Sequence, residues 1–356
     1  MIPKRRALEL FVFLTLVLLT ACEPLAPQQT PQIIVVTGVT EPAPLQGEGD
    51  VVEAAANNDV DVGGLAIPAV GVVNTPLPTS TPSPVPTPLP TATPFGCRES
   101  SGRVIEDSVF SAITGGDVPF VMYLPPCFYE SWRRYPYVIL LHGTGYDERM
   151  WLDLGVVETM DKGIKSGVLP PMVLVMPDGD VLSELNNQPV AQSYEGFLLN
   201  ELIPALERFE TGYCLWSARD GRAIGGISRG GFWAFSIALR HPDLFAAVGG
   251  HSPFFDPDNA VAETNPLDLA TQAGLSKSAP RIWIDSAADD YVITMVERMA
   301  QILQARDVAH EVIIHPTGGH EETYWKAHLA EYLAFYGRDW PLDSAELPSC
   351  EDAVVG

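Results

Sequence analysis

The chain has few basic residues for its length. Among 356 residues there are 21 lysines and arginines against 45 aspartates and glutamates, so the formal net charge is −24. The one basic cluster is Lys4-Arg5-Arg6. A chain this acidic repels the phosphate backbone of nucleic acid. The composition therefore predicts a well-solvated extracytoplasmic surface and argues against a nucleic-acid partner.

The sequence also lacks the common signatures of metal and nucleotide sites. Its histidines have neither the H-x-x-x-H nor the H-E-x-x-H spacing, and it contains no Gly-rich dinucleotide-binding or phosphate-binding motif. We therefore predict no metal site and no cofactor.

The apolar leader is too short for a permanent membrane span. Ala7–Thr20 is almost wholly apolar but short for a hydrocarbon core of ~30 Å, and it follows the basic cluster, which is typical of a signal peptide. Leu19-Thr20-Ala21-Cys22 resembles a bacterial lipobox, whose cysteine carries the lipid. We predict a signal peptide over residues 1–21, lipidation of Cys22 and an envelope-anchored, extracytoplasmic domain. The alternative is an ordinary secretory signal with an incidental cysteine.

Residues 22–96 show no pattern of a folded domain. Pro76–Pro94 is rich in Pro, Thr and Ser, which favours extended polyproline II over helix or sheet. We predict a lipidated cysteine followed by a disordered tether, then a domain over residues 97–350 and a tail over residues 351–356.

Cysteine usage fits an oxidising compartment. Besides Cys22 there are four cysteines, which allow three pairings into two disulfides. We favour Cys97–Cys127 and Cys214–Cys350, with free buried thiols as the alternative.

Short apolar runs alternate with helical patterns along the domain. Such runs suit strands that are covered on both faces, and their alternation with helices predicts a doubly wound, mostly parallel α/β sheet. Gly115-Gly116-Asp117 predicts an antiparallel hairpin at its start. The predicted strands are Arg103–Phe110, Pro119–Leu124, Tyr137–Leu141, Met172–Met176, Ala223–Ile227, Ala246–Gly249, Arg281–Ile284 and Glu311–Ile314. The predicted helices are Phe197–Phe209, Gly230–Arg240, Val292–Arg306 and Glu322–Tyr336.

The sequence Gly226-Ile227-Ser228-Arg229-Gly230 matches the G-x-S-x-G motif between a predicted strand and a predicted helix. A sharp strand-to-helix turn forces the serine into strained backbone angles, and only small flanking residues leave room for it. We predict that Ser228 is a nucleophile; a plain helix N-cap is the alternative.

A serine hydroxyl needs a neighbouring base, which a third group orients. Three histidines follow the serine near the last strand. His315 ends that strand and His328 lies inside the last helix, whereas His320 lies in the loop between them. We favour His320 as the base.

The acid is expected after the strand that starts at Arg281, where Asp285, Asp289 and Asp290 are candidates. Asp285 still belongs to the strand, so we favour Asp290, with Asp289 as the alternative. One of the two aspartates could instead cap the following helix.

An oxyanion needs backbone N–H donors. We expect one donor from Arg229, which begins a helix, and another from Thr144 in the loop His142-Gly143-Thr144-Gly145. His142 itself is expected to support that loop.

These residues resemble the esterase D / feruloyl esterase-like family of α/β-hydrolases. The resemblance covers most of Cys97–Tyr336. It is carried by LLHGTGYDERMW (Leu140–Trp151), PPMVLVMPDG (Pro170–Gly179), FLLNELIPALE (Phe197–Glu207), RAIGGISRGGFWAFSIALRHPDLFAAVGGHS (Arg222–Ser252) and GGHEETYW (Gly318–Trp325).

The resemblance implies an α/β-hydrolase fold with Ser228, Asp290 and His320 in the places of nucleophile, acid and base. Two departures are visible. Ser286-Ala287-Ala288 stands where relatives have a Gly-containing turn, which leaves Asp289 open as the acid, and Arg229 stands where relatives often have Met.

The resemblance further implies a serine esterase acting on carboxylic esters. An exported, tethered enzyme favours carbohydrate-linked esters of the feruloyl or acetyl type over cytosolic thioesters. The alternatives are an acyltransferase on the same scaffold and a non-catalytic binding lipoprotein with a hydrolase fold. The sequence does not determine the oligomeric state.

Overall fold

The computed structural model of the chain describes the backbone of residues 32–36 and, with short gaps, residues 98–351. Those gaps are residues 186–189, 209–210, 257, 259 and 273–274. The chain divides into one unit of residues 1–39 and 97–356 and a second of residues 40–96, which lies outside the described residues.

The described residues contain nine strands in one sheet. Their bounds are β1 Gln32–Val36, β2 Arg103–Ser111, β3 Gly116–Leu124, β4 Tyr137–Leu141, β5 Val173–Pro177, β6 Arg222–Ile227, β7 Ala247–His251, β8 Arg281–Ala287 and β9 His310–His315. The order across the sheet is β1-β9-β8-β7-β6-β4-β5-β3-β2. Strands β4 to β9 are parallel, while β1 pairs with β9, and β3 with β5 and β2, in antiparallel fashion.

The helices are α1 Met150–Asp153, α2 Val156–Ser166, α3 Asp180–Glu184, α4 Tyr194–Phe197, α5 Ile203–Glu207, α6 Arg229–Arg240, α7 Pro266–Leu269, α8 Leu275–Ser278, α9 Ile293–Ala305 and α10 Glu322–Gly337. A π-helical turn, Leu198–Leu202, joins α4 to α5, and 3₁₀ turns occur at Val190–Gln192, Arg219–Gly221 and Ser344–Glu346. No helix in this described part of the chain is long and apolar enough to cross a bilayer.

The sheet is covered on both faces because its central strands have no polar side. In β4, Tyr137, Ile139 and Leu141 belong to one core cluster. The alternate residues Val138 and Leu140 belong to the other. Successive side chains of a strand point to opposite faces, so an unbroken apolar run gives each face its own core. The predicted α/β-hydrolase fold with its antiparallel hairpin is therefore confirmed.

Strand β1 is the main departure from the sequence prediction. Its residues lie inside the segment that we expected to be an unfolded tether, yet its backbone pairs with β9, with Ile34 opposite Val312. Five residues of that segment thus extend the sheet at its edge, and the prediction is wrong for them. Residues 1–31 and 37–97, including the predicted signal peptide, Cys22 and the proline-rich run, lie outside the described residues.

Candidate active site

Three turns at one edge of the sheet carry the predicted site residues. Ser228 lies between β6 and α6, Asp290 between β8 and α9, and His320 between β9 and α10. Because β6 to β9 are parallel neighbours, their carboxyl ends meet at the same edge, which is where α/β sheets form their sites. The topology alone therefore gathers residues that are far apart in sequence.

Ser228 occupies a strained turn. Its φ is +53° and its ψ is −113°, a conformation that a non-glycine residue rarely adopts. A Cβ on Gly226 would lie 2.3 Å from the carbonyl carbon of Gly230, and a Cβ on Gly230 would lie 2.3 Å from the carbonyl oxygen of Leu141. Neither contact is tolerable, so both glycines are needed where the strand turns into the helix.

His320 joins the serine to a carboxylate. Its Nε2 lies 2.8 Å from Ser228 Oγ, while its Nδ1 lies 3.1 Å from Asp290 Oδ1 and 3.2 Å from Oδ2. The Asp290 side chain is fully buried, and the imidazole retains limited access to solvent. In this geometry the imidazole can accept the serine proton while the carboxylate fixes its orientation.

The structure also distinguishes the two neighbouring aspartates. Asp289 is exposed, whereas Asp290 is buried and accepts a hydrogen bond from the backbone N–H of Val292 as well as contacting His320. Burial alone would raise the pKa of Asp290, but the hydrogen bonds from His320 and Val292 outweigh it and lower that pKa. Asp290 therefore stays ionised beside the imidazole and also stabilises the turn before α9.

The loop after β4 approaches the nucleophile. A Cβ on Gly143 would lie 3.4 Å from the Cβ of Ser228, so the adjoining residue Thr144 lies at the mouth of the site. The Thr144 hydroxyl donates to Glu184 Oε2 at 3.1 Å. His142 behind the loop accepts from the Gly179 N–H at 2.8 Å through Nε2, while its Nδ1 contacts the Gly143 carbonyl at 2.9 Å. His142 thus connects the loops that follow β4 and β5.

Arg229 combines two features. Its backbone N–H begins α6, where the first amide groups have no partner within the helix. Its buried guanidinium donates to the carbonyl oxygens of Ser183 at 2.9 Å and Glu184 at 3.2 Å, and lies 3.4 Å from an Asp256 carboxylate oxygen. Burial lowers the pKa of Arg229, partly opposed by Asp256. The side chain therefore ties α3 and the segment after β7 to the start of α6, next to Ser228.

Asp285, which the sequence left as a third candidate acid, faces a different histidine. It is fully buried and lies 2.7 Å from His251 Nδ1, while Tyr324 and Tyr332 donate their hydroxyls to it at 2.8 and 3.0 Å. Burial would raise the pKa of Asp285, but the nearby His251 and the hydrogen bonds from Tyr324 and Trp283 lower it overall. No local sequence pattern predicts this network, because its members come from three separate elements, β7, β8 and α10.

Aromatic rings flank the imidazole of His320. The ring of Tyr291 lies 4.5 Å away and is largely exposed, and the ring of Trp325 lies 5.2 Å away, edge-on. Tyr291 directly follows Asp290, so the acid turn also supplies an aromatic surface at the mouth of the site. Neither ring was predicted from the sequence as part of the site.

Cys214 and Cys350 form a disulfide that ties the last described residues to the segment before β6. Cys127 is also disulfide-bonded, and its predicted partner Cys97 lies outside the described residues. Cys22 lies there as well.

The order of the strands and the sharp turn at Ser228 place the chain in the class of α/β-hydrolase folds. Within that class, the family described as "Putative esterase" matches residues 111–336. The chain therefore belongs to this esterase family, as its sequence resemblance predicted.

Several known proteins resemble parts of the chain. An esterase of Mycobacterium tuberculosis is 34% identical over 137 residues, which cover 36% of this chain and 27% of that protein. An endo-1,4-beta-xylanase/feruloyl esterase of Xylanibacter ruminicola is 31% identical over 157 residues, which cover 42% of this chain and 21% of that protein. The matches thus span about a quarter of these relatives' length. The solved structure of a ferulic acid esterase covers 67% of this chain and 98% of its own, with 25% identity and a TM-score of 0.60.

Proposed function

We propose that this chain is a serine esterase that hydrolyses carboxylic esters through an acyl-enzyme. The observation that carries the proposal is the 2.8 Å contact between His320 Nε2 and Ser228 Oγ, with Asp290 on the opposite nitrogen of the imidazole. Membership of an esterase family supports the same chemistry.

The reaction proceeds in two halves. His320 takes the proton of Ser228 while Oγ attacks the ester carbonyl, and the imidazolium then protonates the departing alcohol. Water then attacks the acyl carbon while His320 takes its proton, the bond between the acyl carbon and Ser228 Oγ breaks, and the imidazolium returns the proton to Oγ as the acid leaves. The backbone N–H groups of Arg229 and Thr144 are the proposed donors to the oxyanion in both halves.

Labelling with a fluorophosphonate probe tests the nucleophile. We expect wild type to be labelled and Ser228→Ala to lose both labelling and at least about 10³-fold of kcat toward p-nitrophenyl acetate. Ser217→Ala is the matched control, because Ser217 is exposed and lies outside the site. Equal labelling of wild type and Ser228→Ala would contradict the proposal and favour a non-catalytic role.

For the substrate, we propose carbohydrate-linked esters of the feruloyl or acetyl type. Two similar proteins are named feruloyl or ferulic acid esterases, and the exposed rings of Tyr146 and Tyr291 give the mouth of this site an aromatic lining. A panel of methyl ferulate, acetylated xylan and nitrophenyl esters tests this choice. Product analysis with added alcohol separates hydrolysis from acyl transfer.

We also propose that the domain is anchored to the cell envelope through a lipid on Cys22. The lipobox-like Leu19-Thr20-Ala21-Cys22 after a basic and apolar leader supports this. Mass spectrometry of the mature N-terminus is expected to find an acylated Cys22, and an unmodified terminus at another residue would contradict the anchor.

A further inference from the structure

A second group of ionisable side chains lies apart from the Ser228 site. His315 ends β9, and His328 and Glu331 are three residues apart on α10, so they share one face of that helix. Glu331 Oε2 lies 3.6 Å from His315 Nε2, and Glu331 Oε1 lies 3.1 Å from His328 Nδ1. One potential ligand atom from each of the three side chains lies within 4.8 Å of the other two.

One member of this group, His315, has a ring nitrogen that is not hydrogen-bonded. The His315 side chain is only 8% exposed, and its buried Nε2 has no hydrogen-bond partner. Buried polar atoms are almost always paired, so an unpaired one needs an explanation. The Glu331 carboxylate, whose Oε2 lies 3.6 Å from this nitrogen, is just beyond hydrogen-bond distance, and a cation between the two would satisfy both.

The spacing of the donor atoms suits a small divalent ion. Zinc binds histidine nitrogen and carboxylate oxygen at about 2.0–2.2 Å with tetrahedral geometry, which separates ligand atoms by roughly 3.3–3.6 Å. Glu331 faces each imidazole with a different oxygen, Oε2 at 3.6 Å from His315 Nε2 and Oε1 at 3.1 Å from His328 Nδ1, and both separations are close to that range. Glu331 is 44% exposed, so water has access to complete the coordination.

We propose that His315, His328 and Glu331 form a binding site for one divalent transition-metal ion of the zinc type. A donor set of two imidazoles and one carboxylate binds such ions in preference to calcium or magnesium, which favour oxygen ligands alone. From the sequence we predicted no metal, because His315 lies on a strand apart from the two helical residues and the set has no familiar spacing.

The site has a structural consequence for the esterase. His315 and α10 stand on either side of residues 316–321, the loop that carries His320. An ion bound to both would tie the two ends of that loop together without touching the substrate. We therefore expect it to stabilise the fold rather than to take part in acyl transfer.

Calorimetric titration with ZnCl₂, after treatment with EDTA, tests the site. We expect wild type to bind one Zn²⁺ and to show a higher Tm with it, because an ion that binds only the folded state stabilises that state. Glu331→Gln and His328→Ala are expected to bind at least about tenfold more weakly.

Two controls make the result specific. Glu297→Gln removes an exposed carboxylate from α9 and is expected to bind Zn²⁺ as wild type does. His320→Ala is expected to keep the binding, which excludes the Ser228 site as its source. Absence of binding by wild type, or unchanged binding by Glu331→Gln, would overturn the proposal. Neither outcome depends on esterase activity.

Discussion

The backbone strain of the site is localised at one residue, Ser228. Its positive φ is unfavourable for a side chain, and two glycines and a hydrogen bond from its N–H to the His251 carbonyl oxygen at 3.0 Å hold it there. The hydroxyl therefore projects at the sheet edge before any substrate arrives, and it needs no rearrangement to meet His320.

The two adjacent aspartates provide a matched pair for testing the acid. Asp290→Asn preserves shape and an acceptor oxygen but removes the charge that orients and stabilises the imidazolium. We expect kcat for p-nitrophenyl acetate to fall by roughly 10³–10⁴-fold. Asp289→Asn changes an exposed side chain and is expected to leave kcat within about twofold.

The comparison requires that both variants fold, which circular dichroism and Tm would establish. A loss of activity in Asp289→Asn with Asp290→Asn unaffected would assign the acid to the exposed residue and contradict the geometry.

At the scale of elements, Arg229 links α6, the helix that follows the nucleophile, to α3 and to the segment after β7. Arg229→Met keeps the backbone N–H but removes the hydrogen bonds to α3 and the contact with Asp256. We expect KM to rise several-fold with a smaller change in kcat, because the segments that Arg229 holds next to Ser228 loosen while the backbone N–H proposed as the oxyanion donor remains. Steady-state kinetics on one nitrophenyl ester measures this division.

Arg240→Met is the control for this variant, since Arg240 lies at the other end of α6 and pairs with Glu195 at 2.6 Å. It removes a half-buried ion pair of the same helix at the end far from Ser228. If both variants change KM equally, the effect comes from a general loosening of α6 rather than from the release of α3 and the segment after β7.

Strands and helices whose own residues form a clear apolar run or motif could be predicted from the sequence. The apolar run Tyr137–Leu141 is a strand with those bounds, and the helix after Ser228 starts within one residue of its predicted start. The region predicted as one helix, Phe197–Phe209, is instead split by a π-helical turn. Pro204 has no N–H to give, so the regular hydrogen-bond ladder cannot continue through it.

Other features depend on packing that no local pattern records. Helix α2 contains Gly163, which weakens a helical pattern, yet a Cβ there would lie 2.3 Å from Leu169 Cδ1. The choice between Asp289 and Asp290 depends on where β8 ends, and the strand runs three residues beyond its predicted end. Both features follow from the tertiary fold rather than from residue types.

At the scale of the whole molecule, the Asp285 network stabilises the contact between the sheet and α10. Because the pKa of Asp285 is lowered in the folded protein, its stabilising effect is complete above the pKa of the unfolded chain, about 3.9. It decreases as the pH falls below that value and is lost once the pH passes the folded-state pKa.

We therefore expect the free energy of unfolding of wild type to fall more steeply between pH 5 and pH 3 than that of Asp285→Asn. Urea unfolding at several pH values measures the two slopes. Asp268→Asn, at an exposed position in α7, is the control and should keep the wild-type slope. Identical slopes for all three proteins would show that Asp285 does not titrate differently on folding.

If Cys22 carries the proposed lipid, the pairing of β1 with β9 sets the reach of that anchor. Ten Cα–Cα steps lead from Cys22 to Gln32, and a fully extended chain covers them in at most about 36 Å. Under that proposal the sheet edge at β1 stays within this distance of the membrane surface, so the first strand sets the length of the tether.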